Sequence, residues 1–217
     1  WSSSYHHTDS IVKGFCHINV SGTGMSDLGE LTIMPATGKL MTGAGTQNNH
    51  MAGYSSLYYK DKEHASVGYY KVHLERYDID VELTATERVG LHKYRFPKSD
   101  QSRVIIDLGE GSADRPTETY LKKINDTLFQ GHRFSSGWAR DQREYFSLII
   151  SKPVDDFILY DRHKKFKGEE RKGDYVKGFL EFSTKSNENI MVKMGISTVS
   201  SKNALENMMI ELPHWDF

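Results

Sequence analysis

Gly14-Phe15-Cys16-His17-Ile18-Asn19-Val20-Ser21-Gly22-Thr23-Gly24-Met25-Ser26-Asp27-Leu28-Gly29-Glu30, with Met34-Pro35-Ala36-Thr37-Gly38 close behind, is the stretch on which the reading of this chain turns. A short apolar strand runs into a loop whose glycines let the backbone bend and approach a ligand closely. Small hydroxyls, an imidazole and a carboxylate crowd the same loop, a mixture suited to a polyol. The loop is not a dinucleotide cradle. That fingerprint needs G-x-G-x-x-G opening a helix, and here the third glycine, Gly29, falls before another strand.

Period-two alternation dominates the middle of the chain. Tyr70, Val72 and Leu74 face one way and Lys71, His73 and Glu75 the other, as in a half-buried strand. Ile79, Val81 and Leu83 repeat the pattern, and Val89, Leu91 and Lys93 begin a third strand that stops at Phe96-Pro97. Further strands are expected at Arg103 to Leu108, Phe146 to Ser151, Asp156 to Asp161, Tyr175 to Phe182 and Ile190 to Ser197. Lys185 to Asn189 reads as a hairpin turn between the last two. The charged run from Arg162 to Gly173 reads as a long, solvated hairpin loop. One helix is expected, Ser201 to Glu211, capped by Ser200 or Ser201 and ended by Pro213. Many short strands and almost no helix predict an all-β, antiparallel β-sandwich.

The opening stretch resembles the G-F-[ST]-H-x-[HN]-x-S-G-T-G-x-x-D-x-G…M-P-x-T-G signature of the family 92 glycoside hydrolases. Ala65-Ser66-Val67-Gly68-Tyr69-Tyr70, Glu82-Leu83-Thr84-Ala85-Thr86-Glu87-Arg88-Val89-Gly90, Ser136-Gly137-Trp138-Ala139 with Tyr145-Phe146, and Lys202-Asn203-Ala204-Leu205-Glu206-Asn207 are similar to later segments of that family, in family order. The resemblance implies a large sandwich of the galactose-mutarotase-like kind. It implies the N-terminal domain of a calcium-dependent, exo-acting α-mannosidase, commonly α-1,2-specific, that releases terminal mannose from glycans with inversion. It further implies that the acid, the base and most calcium ligands lie in a C-terminal helical catalytic domain of the same polypeptide. Residues 1–217 then form a single sandwich domain cut at both ends, which helps to shape the substrate pocket and is inactive alone. A periplasmic or secreted bacterial location follows from family habit.

Composition limits the alternatives. At 217 residues the chain suits one large all-β domain, and a chain of this size buries roughly 70% of its extended surface without a covalent staple. Twenty-eight basic residues against 29 acidic ones leave a formal charge of −1, no footprint for nucleic acid or an anionic membrane. The single cysteine, Cys16, excludes an internal disulfide framework and a multi-cysteine zinc site.

The expected substrate-binding residues are Trp1, His17, Ser21, Gly22, Thr23, Gly24 and Asp27. Trp1 precedes a polar stretch and suits a rim position, where its ring face can stack on a pyranose. Trp138 reads as packing and Trp215 as a pin at the domain's end. His17 is either a satisfied buried histidine or a pocket donor. His6 and His7, adjacent on an extended segment, would point to opposite faces and are a poor metal pair; no metal ligand and no catalytic residue is assigned. Two rival functions stay open. One is a stand-alone carbohydrate-binding module. The other is a mutarotase-like sugar isomerase, which needs a histidine and a carboxylate together in a concave sheet, with His17 or His92 as the histidine.

Overall fold

The structure, a computed structural model, describes residues 5–19, 28–46, 48–110 and 114–217, with residues 29 and 30 described by their backbone. In chain order the first strands are β1 Ile11–Val12, β2 Ile18–Asn19, β3 Leu28–Glu30, β4 Thr32–Thr37, β5 Ser56–Leu57 and β6 His64–Ser66. The meander β7 Tyr69–Leu74, β8 Ile79–Ala85 and β9 Val89–Phe96 leads to β10 Ser99–Asp107, β11 Arg115–Lys123, β12 Leu128–Ser136 and β13 Gln142–Ile150. The chain continues through β14 Asp156–Asp161, β15 Lys164–Phe166, β16 Glu170–Gly173, β17 Val176–Thr184, β18 Glu188–Ser197 and α1 Ser201–Glu211.

Two antiparallel sheets face each other. The larger runs β16-β11-β12-β13-β18-β9-β8-β7-β6 and the smaller β15-β14-β17-β10-β4. Strand alternation builds the layer between them: Val72, Leu74, Ile79, Val81, Tyr94, Phe96, Phe129, Phe146, Leu148, Val192 and Met194 are buried on the large sheet, and Ile33, Val104, Ile106 and Leu180 on the small one. Each such side chain contributes roughly 1.5–3 kcal/mol on removal from water. β4 is an edge strand, which is why Pro35, opposite Val104, is tolerated in it.

The outer face of the large sheet carries α1. Ser200 caps it by accepting from the Asn203 N–H at 3.1 Å. Ala204 and Met208 are buried against the sheet, while Val89, Leu91, Met208 and Leu212 form a second small core with Leu205 and Trp215 packed on it. Gly195 permits this contact, because a Cβ there would stand 2.3 Å from the Ala204 carbonyl oxygen. Trp215 does pin the end of the chain, with the Lys193 ammonium 4.3 Å from its ring centroid and 2.9 Å from the Leu212 carbonyl.

Three sequence expectations are corrected. The turn after Thr184 is no hairpin: β17 belongs to the small sheet and β18 to the large one, so the chain crosses between layers there. The charged run 162–173 is not merely a solvated loop, since β15 extends the small sheet and β16 the large one. Arg171 makes this possible by lying 3.7 Å from the Phe166 ring centroid and pairing with Asp161 at 3.0 Å. Trp138 does not pack; it is 75% exposed on the turn between β12 and β13.

Candidate functional site

The smaller sheet leaves part of the larger one uncovered, and there the segment before the glycine-rich loop lies against the inner face of β9. His17 enters over Gly90, whose Cβ, if present, would stand 2.8 Å from His17 Cδ2. The ring meets His92 with Nε2 to Nε2 at 2.9 Å, the two planes 9° apart. His17 Nδ1 lies 2.8 Å from the Leu31 carbonyl oxygen, and His92 Nδ1 lies 2.6 Å from the Tyr94 hydroxyl.

These partners assign the tautomers. A carbonyl only accepts, so His17 Nδ1 donates to Leu31 and, in the neutral ring, its Nε2 accepts. His92 Nε2 therefore donates to His17, and His92 Nδ1 accepts from the Tyr94 hydroxyl. Both rings are held neutral. Burial lowers the His17 pKa to about 4, against a smaller upward pull from Leu31. His92 is lowered well below its ordinary value by burial first and by the neighbouring His17 second. Of its two expected roles His17 takes the first: both ring nitrogens are engaged, by Leu31 and His92, so the ring lines an open cavity without a hydrogen-bond donor to offer it.

That cavity, about 480 Å³, is walled by Phe15, His17, Tyr70, Leu83, His92 and Met194, with the Thr86-Glu87-Arg88 turn at its rim. A neighbouring cavity of about 630 Å³ is lined by Tyr5, Lys13, Tyr58 and Tyr70 and shares Phe15, Cys16 and Leu83 with the first. Cys16 donates to Asn19 Oδ1 at 3.3 Å. The Tyr5 and Tyr70 hydroxyls bond Glu63, so that wall shows ring surface more than hydroxyl. The ends of the glycine-rich loop are paired beside the first cavity, Asn19 opposite Leu28 and Ile18 opposite Glu30.

A second polar group sits at the same end of the sandwich. Asp107 Oδ2 accepts from Tyr54 at 2.6 Å and pairs with Lys177 at 2.5 Å, while its Oδ1 accepts the Gly109 and Glu110 amides. Burial, then the Asp107 charge, raises the Glu110 carboxyl above its ordinary range. The fully buried Arg133 pairs with Asp114 and donates to the Leu108 carbonyl. On β13, burial brings Glu144 up to about 7.

Of the expected binding residues, Trp1, Ser21, Gly22, Thr23, Gly24 and Asp27 lie outside the described residues, and His17 alone is placed. His6 and His7 do not diverge along a strand. They sit in a turn with ring centroids 4.5 Å apart, and His6 N–H donates to Asp9. Among the described residues no group of three or more His, Cys, Asp and Glu is arranged to hold a metal ion. Sequence reasoning missed Tyr94 and the Asp107–Lys177 pair. Lys177, the one charged residue in the run Val176 to Leu180, is the available signal for the latter.

The profile of the glycosyl hydrolase family 92 N-terminal domain matches residues 1–197. The chain belongs to this family. Its fold superposes on the family GH92 α-mannosidase BT3965 from Bacteroides thetaiotaomicron, solved with mannoimidazole, with a TM-score of 0.94 and 30% identity over 99% of this chain and 29% of that one. The GH92 glycosyl hydrolase ccman5 matches at a TM-score of 0.86 and 21% identity, over 100% of this chain and 30% of that one. The inverting GH92 mannosidase BT2199 from Bacteroides thetaiotaomicron VPI-5482 matches at 0.80 and 22%, over 96% and 27%. These last two bear on fold alone. The chain spans less than a third of the length of these solved relatives. No curated protein sequence matches it.

Proposed function

We propose that this chain is the N-terminal domain of an exo-acting α-mannosidase that removes terminal mannose, α-1,2-linked, from glycans with inversion. The family match across residues 1–197, joined to the 0.94 TM-score with an α-mannosidase, carries this reading. Here the domain supplies part of the pocket and a helical domain of the same polypeptide supplies the chemistry.

The two imidazoles support that division of labour. Inversion needs a carboxylic acid and a carboxylate base roughly 6.5–9.5 Å apart with water between them. The hydrogen-bond partners of His17 and His92 are each other, a carbonyl and a phenol, so neither ring is oriented by a carboxylate as a general base would be. The same geometry weighs against a mutarotase-like isomerase. The pair instead gives the cavity a neutral polar floor, and Trp1 with residues 21–27 is assigned to the sugar.

Calcium, implied by the family, takes six to eight oxygen ligands. Among the described residues no three carboxylates, histidines or cysteines cluster to anchor such a set. Most of its ligands belong to the helical domain in this proposal, and the enzyme would work in the periplasm or outside the cell.

The test uses the longer natural chain with α-1,2-mannobiose. Trp1→Ala and Asp27→Ala should raise KM, with kcat falling too if they orient the sugar, while melting changes little. Unchanged kinetics in both variants would remove this loop from the pocket. Hydrolysis by residues 1–217 alone, abolished by changing one of their carboxylates, would overturn the placement of the catalytic centre.

A further inference from the structure

Several turns collect at the end of the sandwich that holds His17 and Asp107. The turn between β12 and β13 carries Trp138, 75% exposed, and the link from β18 to α1 carries Val199, 70% exposed. The turn between β6 and β7 carries the fully exposed Val67, tied to this end by the Thr84 hydroxyl bond to the Gly68 carbonyl. Helix α1 crosses the outer face and ends at the Thr86–Arg88 turn, where Glu211 bonds Arg88.

The outer side of the helix begins polar, with the exposed pair Lys202 and Glu206, and turns apolar in its last turn. Met208 is buried against the sheet, yet Met209 is 54% and Ile210 75% exposed. Ile210, two residues beyond Met208, lies roughly opposite it on the helical wheel. A surface helix with a free outer side puts polar residues there, as Lys202 and Glu206 do and the last turn does not.

Scattered exposed apolar side chains are ordinary. These five are not scattered: Trp138, Val199 and Val67 follow one end of the large sheet from its β12–β13 turn to its β6–β7 turn, and Met209 and Ile210 stand on the end of α1 that is tied to the Thr86–Arg88 turn between them. At roughly 4.8 Å per strand that is about 24 Å, far wider than one sugar ring. The neighbouring charges come in both signs and in pairs, Arg88 with Glu211 and Arg143 with Asp141. A paired polar rim around apolar tips matches a protein interface, whereas an anionic membrane surface selects unpaired basic clusters.

We infer that this band, Val67, Trp138, Val199, Met209 and Ile210, is the docking surface for a further domain of the same polypeptide. The occupant is argued from size: the solved relatives carry about 70% of their length beyond the part this chain matches, and contacts between domains of one chain commonly bury ~600–1,500 Å². The inference rests on the proposed mannosidase reading for the existence of that domain, and it fixes which surface faces it.

Hydroxyl-radical footprinting, read by mass spectrometry, compares residues 1–217 with the longer natural chain, and mannoside hydrolysis is recorded on the same samples. Tyr59 is the control. It is 53% exposed and lies beside Lys62, which pairs with Glu75 at the opposite turn. Oxidation of Trp138 and Met209 should fall at least about fivefold in the longer chain, with Tyr59 unchanged. Equal oxidation of Trp138 and Met209 in both chains would overturn the docking surface, even in an active enzyme. Protection without mannoside hydrolysis would keep the surface and sink the mannosidase reading.

Discussion

Glu211, the last residue of α1, clasps Arg88 on the turn between β8 and β9. Its Oε1 pairs with Arg88 Nε at 2.5 Å, and its Oε2 accepts the Arg88 backbone N–H at 3.0 Å and the Thr86 hydroxyl at 2.5 Å. One carboxylate therefore ties the helix to the rim of the candidate cavity. Partial burial works to raise the Glu211 carboxyl, and the bonds from Thr86 and Arg88 outweigh it, so the net shift is downward.

Glu211→Ala should cost about 1–2 kcal/mol, in the range for charge-assisted bonds at a partly exposed site. Because the folded-state pKa is depressed, this contribution is present above the ordinary carboxylate range and lost as pH falls through the folded value. Melting curves of wild type and variant should differ at pH 7 and converge in acid. A constant gap at every pH would remove the ionic part of the argument.

Gly90→Ala should disturb the imidazole pair first. The new methyl would stand 2.8 Å from His17 Cδ2 and 3.0 Å from its Nε2, so the ring must move off His92. Overpacking of this kind costs about 1–3 kcal/mol. Nitrogen-15 shifts of the two imidazoles report the outcome: in wild type one ring should be protonated at Nδ1 and the other at Nε2, and in the variant that pattern should be lost.

Acid should destabilise the fold through the same pair. The folded His17 pKa is about 4, below the unfolded value of 6.5, so the unfolded chain binds the proton first as pH falls. Stability from His17 is complete above about 6.5 and declines toward 4, by on the order of 3 kcal/mol. Urea unfolding at pH 7, 5.5 and 4.5 tests this. His17→Gln should flatten the dependence, and an unchanged slope would assign the acid lability elsewhere.

Asp107→Asn should be among the most damaging single changes, since it leaves the buried Lys177 ammonium without its counter-charge. Breaking such a pair costs about 3–5 kcal/mol, whereas replacing both members by apolar groups is often tolerated. Asp107→Leu combined with Lys177→Met should therefore unfold at higher urea than Asp107→Asn alone. The reverse order would mean that the Gly109 and Glu110 amides, also held by Asp107, dominate.

The fold was legible wherever one strand face was uniformly apolar. Tyr70, Val72 and Leu74 gave β7 directly, and α1 was visible from its cap, its spacing and Pro213. β12 was hidden, because its inner face carries Phe129, Gly131, Arg133 and Ser135, and a buried arginine bonded to Asp114 and the Leu108 carbonyl breaks the alternation. The Lys185–Asn189 turn was visible as a turn, but polarity cannot tell a hairpin from a crossing between layers. Of the site, His17 came from the loop's composition. Its bond to His92, 75 residues away, depends on the uncovered inner face of β9 and has no local signature.

The charged run that forms β15 and β16 bears on how this molecule behaves at high concentration. An exposed sheet edge offers unpaired amides and carbonyls to any passing strand, and long flat edges seed aggregation. On this side of the sandwich both edges are very short. β15 has three residues, two of them Lys164 and Lys165, and β16 has four, Glu170-Arg171-Lys172-Gly173. A second molecule approaching to add a strand would meet like-charged lysines and run out of partners within one or two hydrogen bonds, so the stretch that looks least structured in the sequence keeps separate copies of the domain from knitting into a continuous sheet.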